Sequence, residues 1–411
     1  MTPELVTLAD IETARDQLAG VVRETPVEPS RPLRAKLGGP VWLKCENLQR
    51  AGSYKVRGAY VRIARMSEAD RSRGVVAASA GNHAQGVALA ASLLGTTATV
   101  FMPVGAPLPK VAATKGYGAK VELVGATVDD ALVAAQEFAE ETSAVFVHPF
   151  DHPDVIAGQG TVALEIIEQV PDVRTIITGV GGGGLVSGIA VAAKGLRPDI
   201  RVIGVQASGA AAYLPSLAAG KPVRLDAWST IADGISVGCP GDLTYAHVAK
   251  LVDDVVTVTD EDISRALLLL LERCKLVVEP AGAVGVAALL AGVPVETPVV
   301  ALLTGGNIDP LLLLRVIEHG LAAAGRYLSF TVHCGDKPGQ LAALLALIAE
   351  HGANVIDVAH RRHDPRLRIG EVDVELSVET RGAEHSDRLL GALRSSGYEV
   401  ELGTKARFGW T

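Results

Sequence analysis

Between residues 40 and 310, short β-branched runs alternate with Ala- and Leu-rich stretches whose apolar residues recur at helical spacing. The runs VWLKCE, GVVAAS, TATVFMP, AKVELVG, AVFVHPF, TIITGV and RVIGVQA predict strands. HAQGVALAASLL and VDDALVAAQEFAEE predict helices. This alternation implies an α/β fold with mostly parallel sheets covered on both faces. Its crossovers should be right-handed, and its ligand site should lie at the carboxyl ends of the strands.

After Arg326 the pattern changes. YLSFTVHC predicts a strand, DKPG a turn and QLAALLALIAEHG a helix. ANVIDVAHRR and RIGEVDVELSVET alternate like an antiparallel pair, HSDRLLGALRSSG predicts a second helix, and YEVELG a last strand. The order β-α-β-β-α-β is that of an α+β, ferredoxin-like module. We therefore expect one domain over 1–325, with a smaller lobe at roughly 57–150, and a second over 326–411, joined by GLAAAGRY.

Of the 411 residues, 48% are hydrophobic and 4% aromatic, which supplies a core built from Ala, Val, Leu and Ile and excludes disorder as the main state. The formal charge of −8, without a basic stripe, argues against a nucleic-acid partner. Cys45, Cys239, Cys274 and Cys334 lie far apart, giving neither a disulfide framework nor a metal-ligand spacing. The acidic N-terminal stretch lacks the form of a signal peptide. One uncharged run of 19 residues, 175–193, approaches membrane-spanning length, but its six glycines fit a strand–loop–helix better. A cytoplasmic protein without a membrane partner is expected.

Three segments have the form of ligand loops: Ser53-Tyr54-Lys55-Val56-Arg57-Gly58, Ser79-Ala80-Gly81-Asn82-His83, and Gly181-Gly182-Gly183-Gly184-Leu185. Four consecutive glycines between a strand and a helix can turn several N–H groups toward one anion, the alternative being a tight turn that needs positive φ. Neither GxxxxGK[ST] nor a strand–GxGxxG–helix with a suitably spaced acid is present, so a nucleotide is not the first expectation. A phosphate cradle together with Lys55 suits pyridoxal phosphate, which needs an amine and a grip on its phosphate.

SYKVRGA, SAGNHAQGVA, HPFDHPDVIAGQGTVALEI, GVGGGGLVSGIA, TIADGISV, VVEPAGA and LLTGGNID, in this order, resemble the blocks of the threonine ammonia-lyase and serine racemase branch of fold-type II pyridoxal phosphate enzymes. The resemblance spans roughly residues 5–320, and the remainder resembles an ACT domain with DKPGQL as its signature. It implies that Lys55 binds the cofactor covalently and removes the substrate's α-proton. Gly181, Gly182, Gly183, Gly184 and Leu185 would hold the phosphate, Asn82 the 3′ oxygen and Thr304 the ring nitrogen. Ser79, Ala80, Gly81 and His83 would surround the substrate carboxylate. The alternatives are a helix cap for Asn82, a turn bond for Thr304 and a structural hydrogen bond for Glu279; Pro149 and Phe150 are either site walls or core.

The reaction so implied is deamination of L-threonine to 2-oxobutanoate and ammonia by β-elimination, with L-serine giving pyruvate. A serine racemase would carry a serine where Ala80 stands and acidic metal ligands in the region that begins at Gln206; no metal is expected here. An L-serine dehydratase is a further alternative, and an amino-acid-binding regulator a remote one. For the second domain the resemblance implies an isoleucine or valine effector at Gly339, Leu341 and Asn354, and a homo-oligomer, expected to be a tetramer.

Overall fold

The computed structural model describes residues 3–323, 325–362 and 369–402. The chain divides into two compact units, residues 1–309 and 310–411. In chain order the strands are β1 Val27–Pro29, β2 Val41–Lys44, β3 Val75–Ala78, β4 Ala98–Met102, β5 Lys120–Leu123, β6 Val145–Phe146 and β7 Thr175–Gly179. They continue as β8 Arg201–Ala207, β9 Asp254–Val258, β10 Val299–Leu302, β11 Tyr327–Gly335, β12 Asn354–Arg361, β13 Glu371–Glu379 and β14 Glu399–Leu402.

The first unit holds two sheets. One has the order β1-β2-β10-β7-β8-β9, the other β5-β4-β3-β6. Every pairing in them is parallel except β1 with β2. Central strands such as β3, β7 and β10 are buried along their whole length, because helices cover both faces and leave no position for alternating polar residues. The smaller sheet has its own apolar core, including Val75, Val100, Met102 and Val111. The larger sheet packs against the helices Pro153–Gln169 and Gly184–Leu196 through Ile156, Ile176, Ile189 and Val202. Gly160 and Gly188 let these two helices approach closely: a Cβ on Gly188 would stand 2.4 Å from the Ile156 carbonyl oxygen.

All seven runs read as strands in the first unit are strands. The pattern missed β1, β9 and β10, which are short or lie at a sheet edge. In the second unit the four strands are antiparallel with the order β12-β13-β11-β14, and the helices Gln340–Glu350 and Ala383–Ser395 supply Leu344, Ile348, Leu389 and Leu393 to its core. This is the expected ferredoxin-like arrangement. The helix Pro310–Ala323 falls within this second unit. Among the described residues no helix is long and apolar enough to cross a membrane.

Candidate active site

Lys55 opens the helix Lys55–Ala64, just after a sharp bend in which Ala51 and Gly52 take positive φ. That bend is held from the other side of the site: Asn307 Nδ2 donates to the Ala51 carbonyl at 2.8 Å, and Tyr54 N donates to the Thr304 carbonyl at 3.2 Å. Lys55 Nζ donates to the Pro149 carbonyl at 3.0 Å and stands 5.4 Å from the centre of the Tyr54 ring. Desolvation brings its amine down from an ordinary 10.5 to about 8, against the opposing pull of Glu279. At pH 7 roughly a tenth of the amine is then neutral, far more than in an ordinary lysine, and a neutral amine is what a nucleophile and proton acceptor require.

Asn82 does not cap its helix. The cap position of Asn82–Leu93 is Gly81, which has no side chain to bond the first turn, and its N–H groups have no partner within the helix. Asn82 Nδ2 instead donates to Glu279 Oε1 at 2.6 Å, and its Oδ1 accepts from Asn307 Nδ2 at 2.8 Å. Ser79 Oγ accepts from Gly81 N at 3.1 Å, which shapes the loop. Ala80 lies against the smaller lobe's core. The His83 ring points away from this opening and donates to the Val147 carbonyl at 2.8 Å. Burial, with the Lys55 charge adding, takes that imidazole down to about 3, so it stays neutral and only its backbone can meet an anion.

The glycine run follows β7 after Val180 and starts the helix Gly184–Leu196, with Gly183 at φ 95°. Its geometry forbids side chains. A Cβ on Gly182 would enter the Phe150 ring at 2.3 Å, and one on Gly183 would stand 1.9 Å from Tyr213 Oη. Tyr213 Oη and Thr244 Oγ1 both donate to the Gly182 carbonyl, at 3.2 and 2.7 Å, which turns that peptide's oxygen away from the loop's mouth. Tyr213 is placed by Gln206, whose Oε1 accepts from Tyr213 N at 2.9 Å. Gln206 thus serves the turn and holds the loop from behind.

Thr304 is nearly buried, and its Oγ1 donates to the Ala281 carbonyl at 3.4 Å, a long bond that a ring nitrogen could replace. Gly305 follows it because a Cβ there would lie 2.3 Å from Glu279 Oε1. Burial raises the Glu279 carboxyl from 4.5 to about 7, and the nearby Asp233 charge adds to the rise. Ser53 Oγ is buried without a hydrogen-bond partner beside Lys55. An unpartnered hydroxyl, a desolvated amine and an open helix N-terminus fit a phosphorylated aldehyde. Lys55, Asn82, Thr304 and the glycine run are linked through Pro149, Phe150, Asn307 and Glu279 into one site.

Sequence reasoning missed the support beneath Lys55. Arg57 donates to Glu46 through Nε and Nη2 at 2.9 and 2.8 Å and to Glu165 through Nη1 at 2.6 Å. Lys44 Nζ bonds Glu165 at 2.5 Å, Gln169 at 2.9 Å and the Thr25 carbonyl at 2.7 Å. Two cations and two carboxylates close a buried, neutral network under the first turn of the Lys55 helix. No local motif marks it, since Arg57 and Glu165 are 108 residues apart.

In the second unit, Gly339 caps the helix Gln340–Glu350 at φ 90°, and Leu341 is half-buried on its core. Asn354 is exposed and begins β12 beyond the other end of that 11-residue helix. At 1.5 Å per residue the two termini stand roughly 16 Å apart, so Gly339 and Asn354 do not converge within one copy of the chain.

The model of the family described as "Pyridoxal-phosphate dependent enzyme" matches residues 18–305, and that of the ACT domain matches residues 328–396. The L-threonine ammonia-lyase of Thermotoga maritima is 48% identical over 399 residues, covering 97% of this chain and 100% of that protein. The L-threonine ammonia-lyase of Geobacter sulfurreducens is 46% identical over 394 residues, 95% of this chain and 98% of its own. Among solved structures, the threonine deaminase of T.th. is similar with a TM-score of 0.71 at 40% identity, covering 74% of this chain and 99% of that one. Maize serine racemase gives 0.73 at 38%, covering 78% and 99%. The two family models and the similarity over nearly the whole chain establish that the chain belongs to the pyridoxal-phosphate-dependent enzymes and carries an ACT domain.

Proposed function

We propose that this chain deaminates L-threonine to 2-oxobutanoate and ammonia, with L-serine to pyruvate as a side activity. The observation that carries the reading is the desolvated Lys55 amine, set among the glycine cradle, Asn82 and the neutral hydroxyl of Thr304. Similarity to L-threonine ammonia-lyases over nearly the whole chain supports the choice of substrate.

Pyridoxal phosphate, when bound, supplies an electron sink that acidifies the substrate's α C–H bond. Lys55 would hold its aldehyde carbon, Gly181, Gly182, Gly183, Gly184 and Leu185 its phosphate, Asn82 its 3′ oxygen and Thr304 its ring nitrogen. Open N–H groups at the start of the helix Asn82–Leu93, with Ser79, Ala80, Gly81 and the backbone of His83 around them, receive the substrate carboxylate. Lys55, neutral in part at pH 7, accepts the α-proton. Ala80 offers no transferable proton for the opposite face, which disfavours racemisation. Thr304 presents a hydroxyl where a carboxylate would keep a ring nitrogen protonated, a weaker demand that suits prompt loss of the β-hydroxyl.

The ACT domain makes the enzyme responsive to an amino acid, in our reading isoleucine or valine, in a homotetramer working in isoleucine biosynthesis in the cytoplasm. A site that uses both Gly339 and Asn354 needs a second copy of the chain, which ties effector binding to assembly. The domain division follows the same reading: 1–325 catalytic, 326–411 regulatory.

Purified protein loaded with pyridoxal phosphate should form 2-oxo acid from L-threonine faster than from L-serine, and the activity should be lost in Lys55→Ala. Undiminished 2-oxobutanoate formation by that variant would overturn the assignment. Formation of D-serine from L-serine at a comparable rate would overturn the role given to Ala80.

A further inference from the structure

Lys110 belongs to the helix Leu108–Gly116 of the smaller lobe, where Val111 enters the β3–β6 core and Thr114 Oγ1 donates to the Lys110 carbonyl at 2.9 Å. Asp233 opens the short turn Asp233–Ile235, which lies between β8 and β9 of the larger sheet. That turn is fixed from below: Thr230 Oγ1 and Ile231 N donate to Asp260, at 2.6 and 3.1 Å, and Ala232 N donates to Thr230 Oγ1 at 3.1 Å. Its far end covers the cradle, because a Cβ on Gly181 would lie 2.9 Å from Ile235 Cα. Its middle faces the buried carboxylate, with the Cβ position of Gly234 3.6 Å from Glu279 Oε1.

Between these two rigidly held elements, Lys110 Nζ meets Asp233 Oδ2 at 2.5 Å. The lysine side chain is 12% exposed and the aspartate 56%, so the pair stands at the rim of the site with its cation sheltered. Both charges act on Glu279, in opposite directions.

We infer that Lys110 and Asp233 are a positioning pair that holds the two lobes together over a bound amino acid, so that their engagement sets how tightly substrate is retained. Neither residue takes part in the proposed chemistry, and the pair joins a helix of the β3–β6 core to a turn anchored on Asp260, just beyond β9 of the larger sheet. A partly exposed ion pair is worth about two- to fivefold in an equilibrium, too little to fold a domain but enough to bias opening against closing. The inference rests on the threonine reading only for the identity of the substrate.

The test uses the full-length, cofactor-loaded enzyme and the variants Lys110→Met, Asp233→Asn, Lys110→Arg and the exchanged pair Lys110→Asp with Asp233→Lys. The two neutralised variants should raise KM for L-threonine about two- to fivefold with kcat within about twofold. Lys110→Arg should match the wild type, and the exchanged pair should recover most of the loss. Amide hydrogen exchange over residues 108–116 gives a readout independent of turnover. L-2-aminobutanoate, which has the shape of threonine without its leaving hydroxyl, should slow that exchange in the wild type and the exchanged pair, and less in the neutralised variants. An unchanged KM in both neutralised variants, a fall confined to kcat, or an exchanged pair that recovers neither readout would overturn the proposal. If no variant or wild type turned over threonine, the exchange measurement would still decide it, and only the function reading would fall.

Discussion

Replacing Lys55 by methionine should stabilise the cofactor-free chain at neutral pH, although it removes the residue to which we assign the proton transfer. The unfolded chain holds the lysine proton up to an ordinary 10.5, whereas the folded chain releases it near 8. Below pH 8 the folded state therefore carries the whole penalty of a desolvated ammonium, about 3 kcal/mol for a fully buried amine. Partial solvent access at Lys55 reduces this to roughly 2–3 kcal/mol. Methionine retains most of the packing and gives up the hydrogen bond to the Pro149 carbonyl, a loss of about 1 kcal/mol. The net gain at pH 7 is roughly 1–2 kcal/mol.

The sign of the pH dependence separates this account from a packing effect. Between pH 8 and 10.5 the unfolded state binds more protons than the folded state, so wild-type stability climbs with pH in that window. The methionine variant has no such climb, and its advantage should shrink by more than half at pH 9.5. Urea unfolding of protein freed of cofactor, at pH 7 and pH 9.5, reads the difference directly. The same pair in a Glu279→Gln background removes the opposing charge that Glu279 places on Lys55. A variant less stable than wild type at pH 7, or displaced equally at both pH values, would refute the claim that the amine is held under strain.

Arg57→Met leaves the fully buried Glu46 carboxylate with Thr25 as its remaining side-chain partner, and should cost about 3–5 kcal/mol in urea unfolding; adding Glu46→Gln should recover part of the loss. Gly183→Ala puts a methyl group against Tyr213 Oη at a positive φ and should weaken pyridoxal phosphate binding by at least ~10-fold, or about 1.4 kcal/mol, in a fluorescence titration. Glu279 holds its proton to about 7 instead of 4.5, so as pH rises from 4.5 through 7 wild-type stability should fall relative to that of Glu279→Gln, the common contribution of the buried histidines cancelling in the difference.

The parts of the site legible in the sequence are those in which neighbouring residues act together. A glycine run between a strand and a helix is visible because backbone N–H groups need only adjacency, and the lysine motif stands out for the same reason. The cap alternative for Asn82 fell to a contact with Glu279, 197 residues away. Tyr213 and Thr244 behind Gly182, Glu165 beneath Arg57 and Asp233 across from Lys110 are set by the fold, and no spacing announces them. The missed strands have a similar origin. β10 is a buried four-residue run, VVAL, too short to be told from a helical segment by period, and β1 is an edge strand ending in proline.

The most instructive contrast in the molecule lies within one helical turn. Lys55 and Arg57 are both cations withdrawn from water, two residues apart, yet they are driven in opposite directions. Arg57 has two carboxylates within hydrogen-bond distance, and together they hold its proton more firmly than usual despite burial. Lys55 has a carbonyl and an aromatic face, neither of which repays the loss of water, and its proton is loosened. The helix places one side chain toward a network of opposite charge and the other beside a backbone carbonyl and a ring, without a hydrogen-bonded carboxylate among the described residues. A fully paired network adds rigidity where charge must stay fixed, and an unpaired amine adds reactivity where a proton must move. Exchanging the two environments would abolish both properties: a carboxylate bonded to Lys55 would raise its proton affinity and remove the minor neutral fraction present at pH 7. In our reading the buried quartet serves the chemistry indirectly, by holding the first turn so that Lys55 stays without a paired carboxylate and the helix does not move to relieve it.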